Sequence, residues 1–148
     1  MTDIDQKYRT LMILWLILLF SQLLFVAVIY STVPELFAAG NEGTLLGDNP
    51  PIIIGAAMLA LMNLVISFIL RGKLVRQGIT EQKPEYVQTA LILGCAFCEA
   101  ISLIGLVLAL AFGYQYFYLW LIAGFIGIFL HFPRRQNLYD AAFNSKRP

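Results

Sequence analysis

A helix crosses a lipid bilayer when about 20 consecutive residues are apolar enough to sit in hydrocarbon. The run TALILGCAFCEAISLIGLVLALAF, Thr89 to Phe112, meets that demand with one exception, the carboxylate of Glu99 near its middle. Three further uncharged runs accompany it: Leu11 to Val33, Pro51 to Leu70 and Phe117 to Phe132. The chain is 59% hydrophobic and 13% charged over 148 residues, too apolar for a soluble domain. The reading is one all-α membrane domain spanning residues 1–148, an integral four-helix transmembrane bundle.

Taken in order, a short polar leader precedes the first span, 11–33. That span is longer than the apolar core of a signal peptide, and the small residues around Ala38 and Ala39 lie well past it, so it is expected to be retained. An external loop, 34–50, holds Pro34, Glu35, Gly40, Glu42, Gly43, Gly47 and Asp48 and no Lys or Arg. The second span, 51–70, opens on Pro51, which suits a helix start. A polar loop, 71–85, leads to the third span, 86–112; a tight uncharged turn, Gly113 to Tyr116, leads to the fourth, 117–132, which Pro133 stops. The remainder, 133–148, is a tail.

Basic residues flank the spans unevenly. Arg71, Lys73, Arg76 and Lys83 sit in the central loop, Arg134, Arg135, Lys146 and Arg147 in the tail, and Lys7 and Arg9 in the leader, while the other two loops have none. By the positive-inside rule the N and C termini and the central loop are cytoplasmic, in a bacterial inner membrane or an organelle equivalent. Tyr114, Tyr116, Tyr118 and Trp120 are then expected to anchor the chain at the outer interface. The basic residues are few and lie at helix ends, so no nucleic-acid partner is expected; the lipid bilayer is the first partner.

A carboxylate at mid-membrane is costly and is expected to face a bundle interior with a partner. Burial favours its neutral form, so Glu99 is a candidate proton-binding residue; the alternative is a permanently protonated acid acting as hydrogen-bonding glue between helices. The first and third spans run in the same direction. Glu99 lies about 12 residues into its span, level with Gln22 at about 1.5 Å per residue. Gln22 is therefore the expected partner. The same arithmetic puts Ala56, Ala57 and Met58 of the second span opposite. Ser102 shares a face with Glu99 and Cys95. Beside that face runs a column of small residues, Ala90, Gly94, Cys98, Gly105, Ala109 and Gly113, expected to let helices pack closely.

Other chemical-looking features are expected to be structural. Cys95 and Cys98 form a C-x-x-C in mid-membrane, without the access a redox pair needs or the further ligands a metal needs. His131, the sole histidine, is expected at the inner headgroups, and Asn63 and Ser67 are expected to bond across to the third span. No nucleophile–base pair, phosphate loop or metal set is visible, so no catalytic residue, metal or cofactor is expected and an enzyme is disfavoured.

From Gln82 to Glu85 the chain reads QKPE, followed by the Glu99 helix. These residues resemble the second half of the c subunit, or proteolipid, of rotary ATP synthases, where Arg-Gln-Pro-Glu precedes a helix of the form TLLLGxAFxEAxxxYGLVxALxL. The matching positions are Gly94, Ala96, Phe97, Glu99, Ala100, Gly105, Leu106, Val107, Ala109 and Leu110. The resemblance covers about residues 51–112, with two extra flanking spans. It implies that Glu99 is a reversible proton site, that the protein assembles with copies of itself or other membrane subunits, and that its role is ion transport; the depth and face arguments add Gln22 and Ser102 as its supports. Ala100, where the family's sodium carriers have Ser or Thr, favours protons. From a different class comes the alternative of a non-catalytic accessory or scaffold subunit of a larger membrane complex.

Overall fold

The computed structural model describes residues 3–38 and 43–143. Among these there is no strand, and the helices in order are α1 (Asp3–Thr32), α2 (Glu35–Ala38), α3 (Pro50–Glu81), α4 (Glu85–Phe112), α5 (Phe117–Leu130) and α6 (Arg135–Phe143). Helices α1, α3 and α4 are each long and apolar enough to cross a membrane, and α5 with α6, bent by 44° at their break, make a fourth candidate if read as one span. The architecture is a helical membrane bundle. Ala39, Gly40, Glu42, Lys146 and Arg147 lie outside the described residues.

Several boundaries differ from expectation. The segment 71–85, expected as a loop, is helical to Glu81, because hydropathy marks where a helix leaves hydrocarbon and not where it stops. At about 1.5 Å per residue the 32 residues of α3 reach about 48 Å, well past a hydrocarbon core of about 30 Å. The true stop is a left-handed residue, Gln82, at φ 54°. It lets the Lys83 N–H return to the Gly78 carbonyl at 2.9 Å, a Schellman closure, and Pro84 follows. The tail also departs from expectation, since α6 buries Leu138 and Ala141 against the base of the bundle.

The hub is α4, which packs along α3, α5 and α1, whereas α1 and α3 make almost no contact with each other. Its core face carries Val87, Ala90, Leu91, Gly94, Cys95, Cys98, Ile101, Ser102, Gly105, Leu108 and Ala109, all buried. The opposite stripe, Ile92, Ala96, Leu103, Val107 and Leu110, is exposed and forms the open side of α4. In α1 the inward residues Ile4, Tyr8, Leu11, Trp15, Leu18, Gln22, Phe25 and Ile29 alternate four and three apart, the spacing of a coiled-coil seam. At one end of the bundle Arg135 pairs with Asp5, and Lys7 with Glu85 at 3.5 Å. The start of α1, the α3–α4 turn and α6 therefore share that end.

Candidate functional site

Around mid-depth α1 presents two consecutive polar residues to α4. Successive helical residues point about 100° apart, so Ser21 and Gln22 address different parts of the α4 surface. Ser21 Oγ lies 2.7 Å from Glu99 Oε1 and also 2.7 Å from the Leu18 carbonyl of its own helix. Gln22 is buried on the seam, and its Oε1 accepts a short hydrogen bond from the fully buried Ser102 hydroxyl. Gln22 Nε2 is buried without an acceptor. The expected direct pairing of Gln22 with Glu99 is thus replaced by two rungs, Ser21 with Glu99 and Ser102 with Gln22. The depth arithmetic brought the right turns together; rotation about the helix axes decided which side chains meet.

Glu99 is half-buried at the border between the packed face of α4 and its open side. Its partner Ser21 also lines an apolar groove of about 430 Å³ on the outer surface of α1, with Ile13, Leu16, Ile17, Phe20 and Leu24. The Ser21 side of the contact thus borders the outer surface of α1. Opposite, the inward seam of α3 is Ile53, Ala60 and Ser67 with half-buried Ala56 and Leu64. Ala57 and Met58, expected to face Glu99, are exposed instead.

The small-residue column is a packing face within the chain. Ala90, Gly94, Cys98, Gly105 and Ala109 are buried. A Cβ on Gly94 would strike the His131 ring, and one on Gly105 would lie 2.5 Å from Trp120 Cβ and 3.1 Å from the Phe117 carbonyl. Two glycines of α5 complete this contact: a Cβ on Gly124 would strike Ser102 Oγ, and one on Gly127 would sit 2.7 Å from Cys98 Sγ. Their three-residue spacing was the available signal in the sequence. Gly113 does not belong to the column; it is exposed, with open space around it, and at φ 59° it ends α4.

Toward the shared end lies a second polar group. His131 is fully buried, not at the headgroups as expected, because Gly94 leaves a hollow for its ring. Its Nδ1 lies 2.7 Å from the Gly127 carbonyl, and its ring packs against Phe68 at a tilt of 39° with centroids 4.6 Å apart. Cys98 donates to Ser67 Oγ at 3.6 Å, so Ser67 bonds across to α4 as expected, whereas Asn63 bonds back to the Leu59 carbonyl of its own helix. Arg71 closes the group from α3, donating to the Leu130 and Phe132 carbonyls at 3.2 and 2.8 Å. Those carbonyls are left free where α5 breaks before Pro133, and a cation at a helix C-terminus also meets the negative end of the dipole.

At the other end the aromatic residues pin the loop. Tyr114 donates to the Leu45 carbonyl at 2.7 Å and Tyr116 to the Gly43 carbonyl at 2.8 Å. Tyr114 and Trp120 are buried in the bundle, in place of the surface anchoring expected of them. Cys95 and Cys98 are free, buried thiols that fill the α4 core face. Among the described residues, no three His, Cys, Asp or Glu side chains come together to hold a metal ion. Compared with known proteins, the chain matches no family model, no curated protein and no solved structure.

Proposed function

We propose that the chain is a proteolipid-like membrane subunit in which Glu99 takes up and releases a proton within the bilayer, as part of an assembly of copies of itself or of other membrane subunits that moves protons. Four spans, with the termini and the α3–α4 turn on the cytoplasmic side, complete the reading; the excess of Lys and Arg at the shared end supports it.

The observation that carries the proposal is the position of Ser21. A hydroxyl has a single proton to donate, yet Ser21 Oγ stands 2.7 Å from two acceptor oxygens, Leu18 O and Glu99 Oε1. Both contacts are hydrogen bonds at once if Glu99 carries a proton and donates it to Ser21 Oγ, while Ser21 donates to Leu18. If Glu99 is ionised, the Ser21 proton turns to it and the Leu18 contact lapses. The hydroxyl thus serves either form with a small rotation, as a reversible proton site needs. A hydrophobic carbodiimide, which reacts with a protonated carboxyl reachable from lipid, is expected to label Glu99 in native membranes and to spare Glu99→Gln. No adduct on the native protein, with ready labelling after unfolding, would sink this reading.

The Ser21–Glu99 contact also joins α1 to α4, which favours a second reading, an accessory subunit with Glu99 as fixed neutral glue. A labelling rate that falls as the pH rises separates the two.

A further inference from the structure

Two idle polar groups at mid-depth complement each other. The Gln22 amide nitrogen has two protons to give and no acceptor, although Gln22 is only 4% exposed. Glu99 accepts through Oε1, and among the described residues no donor reaches its Oε2. Ser102 holds the amide by its oxygen, which turns the nitrogen away from Ser102. Ser102 and Glu99 are three residues apart on α4, and Ser21 and Gln22 are adjacent on α1, so the idle donor and the idle acceptor share one layer of the bundle. A buried donor left without an acceptor is costly.

We propose that Gln22 is the proton-state partner of Glu99: its amide stands idle against the neutral acid and donates to the carboxylate once the proton has left. This rests on reading Glu99 as a proton site. In the neutral state the acid gives its proton to Ser21 and needs no further donor. When the O–H bond breaks and the proton passes to buffer base, the electron pair stays on the carboxylate, which is acceptor-only and sits in hydrocarbon. Ser21 then supplies one donor and Gln22 Nε2 the next. No cation competes for this role: the Lys and Arg of α1 and α3 lie toward the helix ends, α5 has none, and the titratable neighbours on α4 within about a turn are Cys95 and Cys98. His131 follows α5 toward the shared end.

The experiment measures carbodiimide labelling of Glu99 across pH in the full-length protein in membranes. Removing a donor that serves the charged form disfavours that form. Gln22→Met is therefore expected to shift the midpoint of the labelling profile up by about one pH unit or more, a tenfold change in the ionisation equilibrium. Ser102→Ala, which leaves the amide nitrogen in place, is expected to shift it far less. An unchanged midpoint in Gln22→Met overturns the proposal while leaving Glu99 a proton site; no labelling of the unaltered protein at any pH fails the underlying reading instead. A downward shift would mean that the amide serves the neutral acid through its oxygen, which also overturns the proposal. A readout without substitution covers a variant that fails to fold. In glutamine-labelled protein in micelles, the Gln22 side-chain nitrogen resonance is expected to move with pH and to stop moving in Glu99→Gln; a resonance that ignores pH counts against the proposal.

Discussion

Replacing Gly105 with alanine tests the packing that positions the site. The added Cβ would lie 2.5 Å from Trp120 Cβ, 3.3 Å from Trp120 Cγ and 3.1 Å from the Phe117 carbonyl. Carbon atoms rest at about 3.5–4.0 Å, and the obstacles are the root of a side chain and a backbone oxygen, neither of which can swing aside. Helices α4 and α5 must separate by about 1 Å, and overpacking of this kind costs about 1–3 kcal/mol. Alanine returns about 0.5–1 kcal/mol through its better helix propensity, leaving a net loss of up to about 2.5 kcal/mol. Gly55 and Gly72 have nothing within 4 Å of an added Cβ. Alanine there is expected to be neutral or to stabilise by up to about 1 kcal/mol. Reversible unfolding in mixed micelles, followed by tryptophan fluorescence, measures all three. Gly105→Ala matching Gly55→Ala in stability would refute the close α4–α5 contact.

Four further outcomes are expected. A reporter inserted at the Gln82–Lys83 turn reads cytoplasmic and one near Gly43 reads external; the reverse at the turn would overturn the proposed orientation. In a double-mutant cycle at mildly acidic pH, Gln22→Leu and Ser102→Ala couple by about 0.5–2 kcal/mol, whereas simple additivity would deny the hydrogen bond between them. Arg71→Met frees the Leu130 and Phe132 carbonyls and speeds hydrogen exchange between Phe132 and Asn137, so unchanged exchange there would contradict the capping role. Burial holds the Tyr114 hydroxyl above the ordinary tyrosine range. Its contribution is therefore complete below the unfolded value of about 10 and lost as pH rises through the folded one. Proteolysis of the loop that holds Leu45 should increase in strong alkali, whereas Tyr114→Phe, which has no hydroxyl to donate or ionise, should be cleaved faster already at neutral pH and gain less in alkali; a pH-independent cleavage rate in the unaltered protein would contradict it.

The sequence announced the long helices because uncharged runs of membrane length leave little choice of form, and depth counting brought Gln22 to the layer of Ser102 and Glu99. What it did not carry was rotation. Whether Ser21 or Gln22 meets Glu99 depends on about 100° of helix phase, and a helix apolar on every side gives no phase from hydropathy. The extension of α3 beyond Leu70 was hidden for a related reason, since polar composition marks the aqueous side and not the end of a helix. Leu138 and Ala141 in α6 carry an inward three-residue spacing, but one turn of it within a polar tail is too short a pattern to mark a helix. The burial of His131 could be seen only with Gly94 facing it, a pairing between α4 and the end of α5 that no local pattern encodes.

The central claim, that Glu99 exchanges a proton inside the membrane, is tested most directly by infrared difference spectroscopy of the reconstituted protein across pH, with isotope-labelled glutamate carboxyls to assign the band. The account predicts a protonated-carboxyl C=O band that disappears reversibly as pH is raised, returns on acidification and is missing from Glu99→Gln. A Glu99 band that persists unchanged across the whole accessible range, or one that never forms, would contradict it.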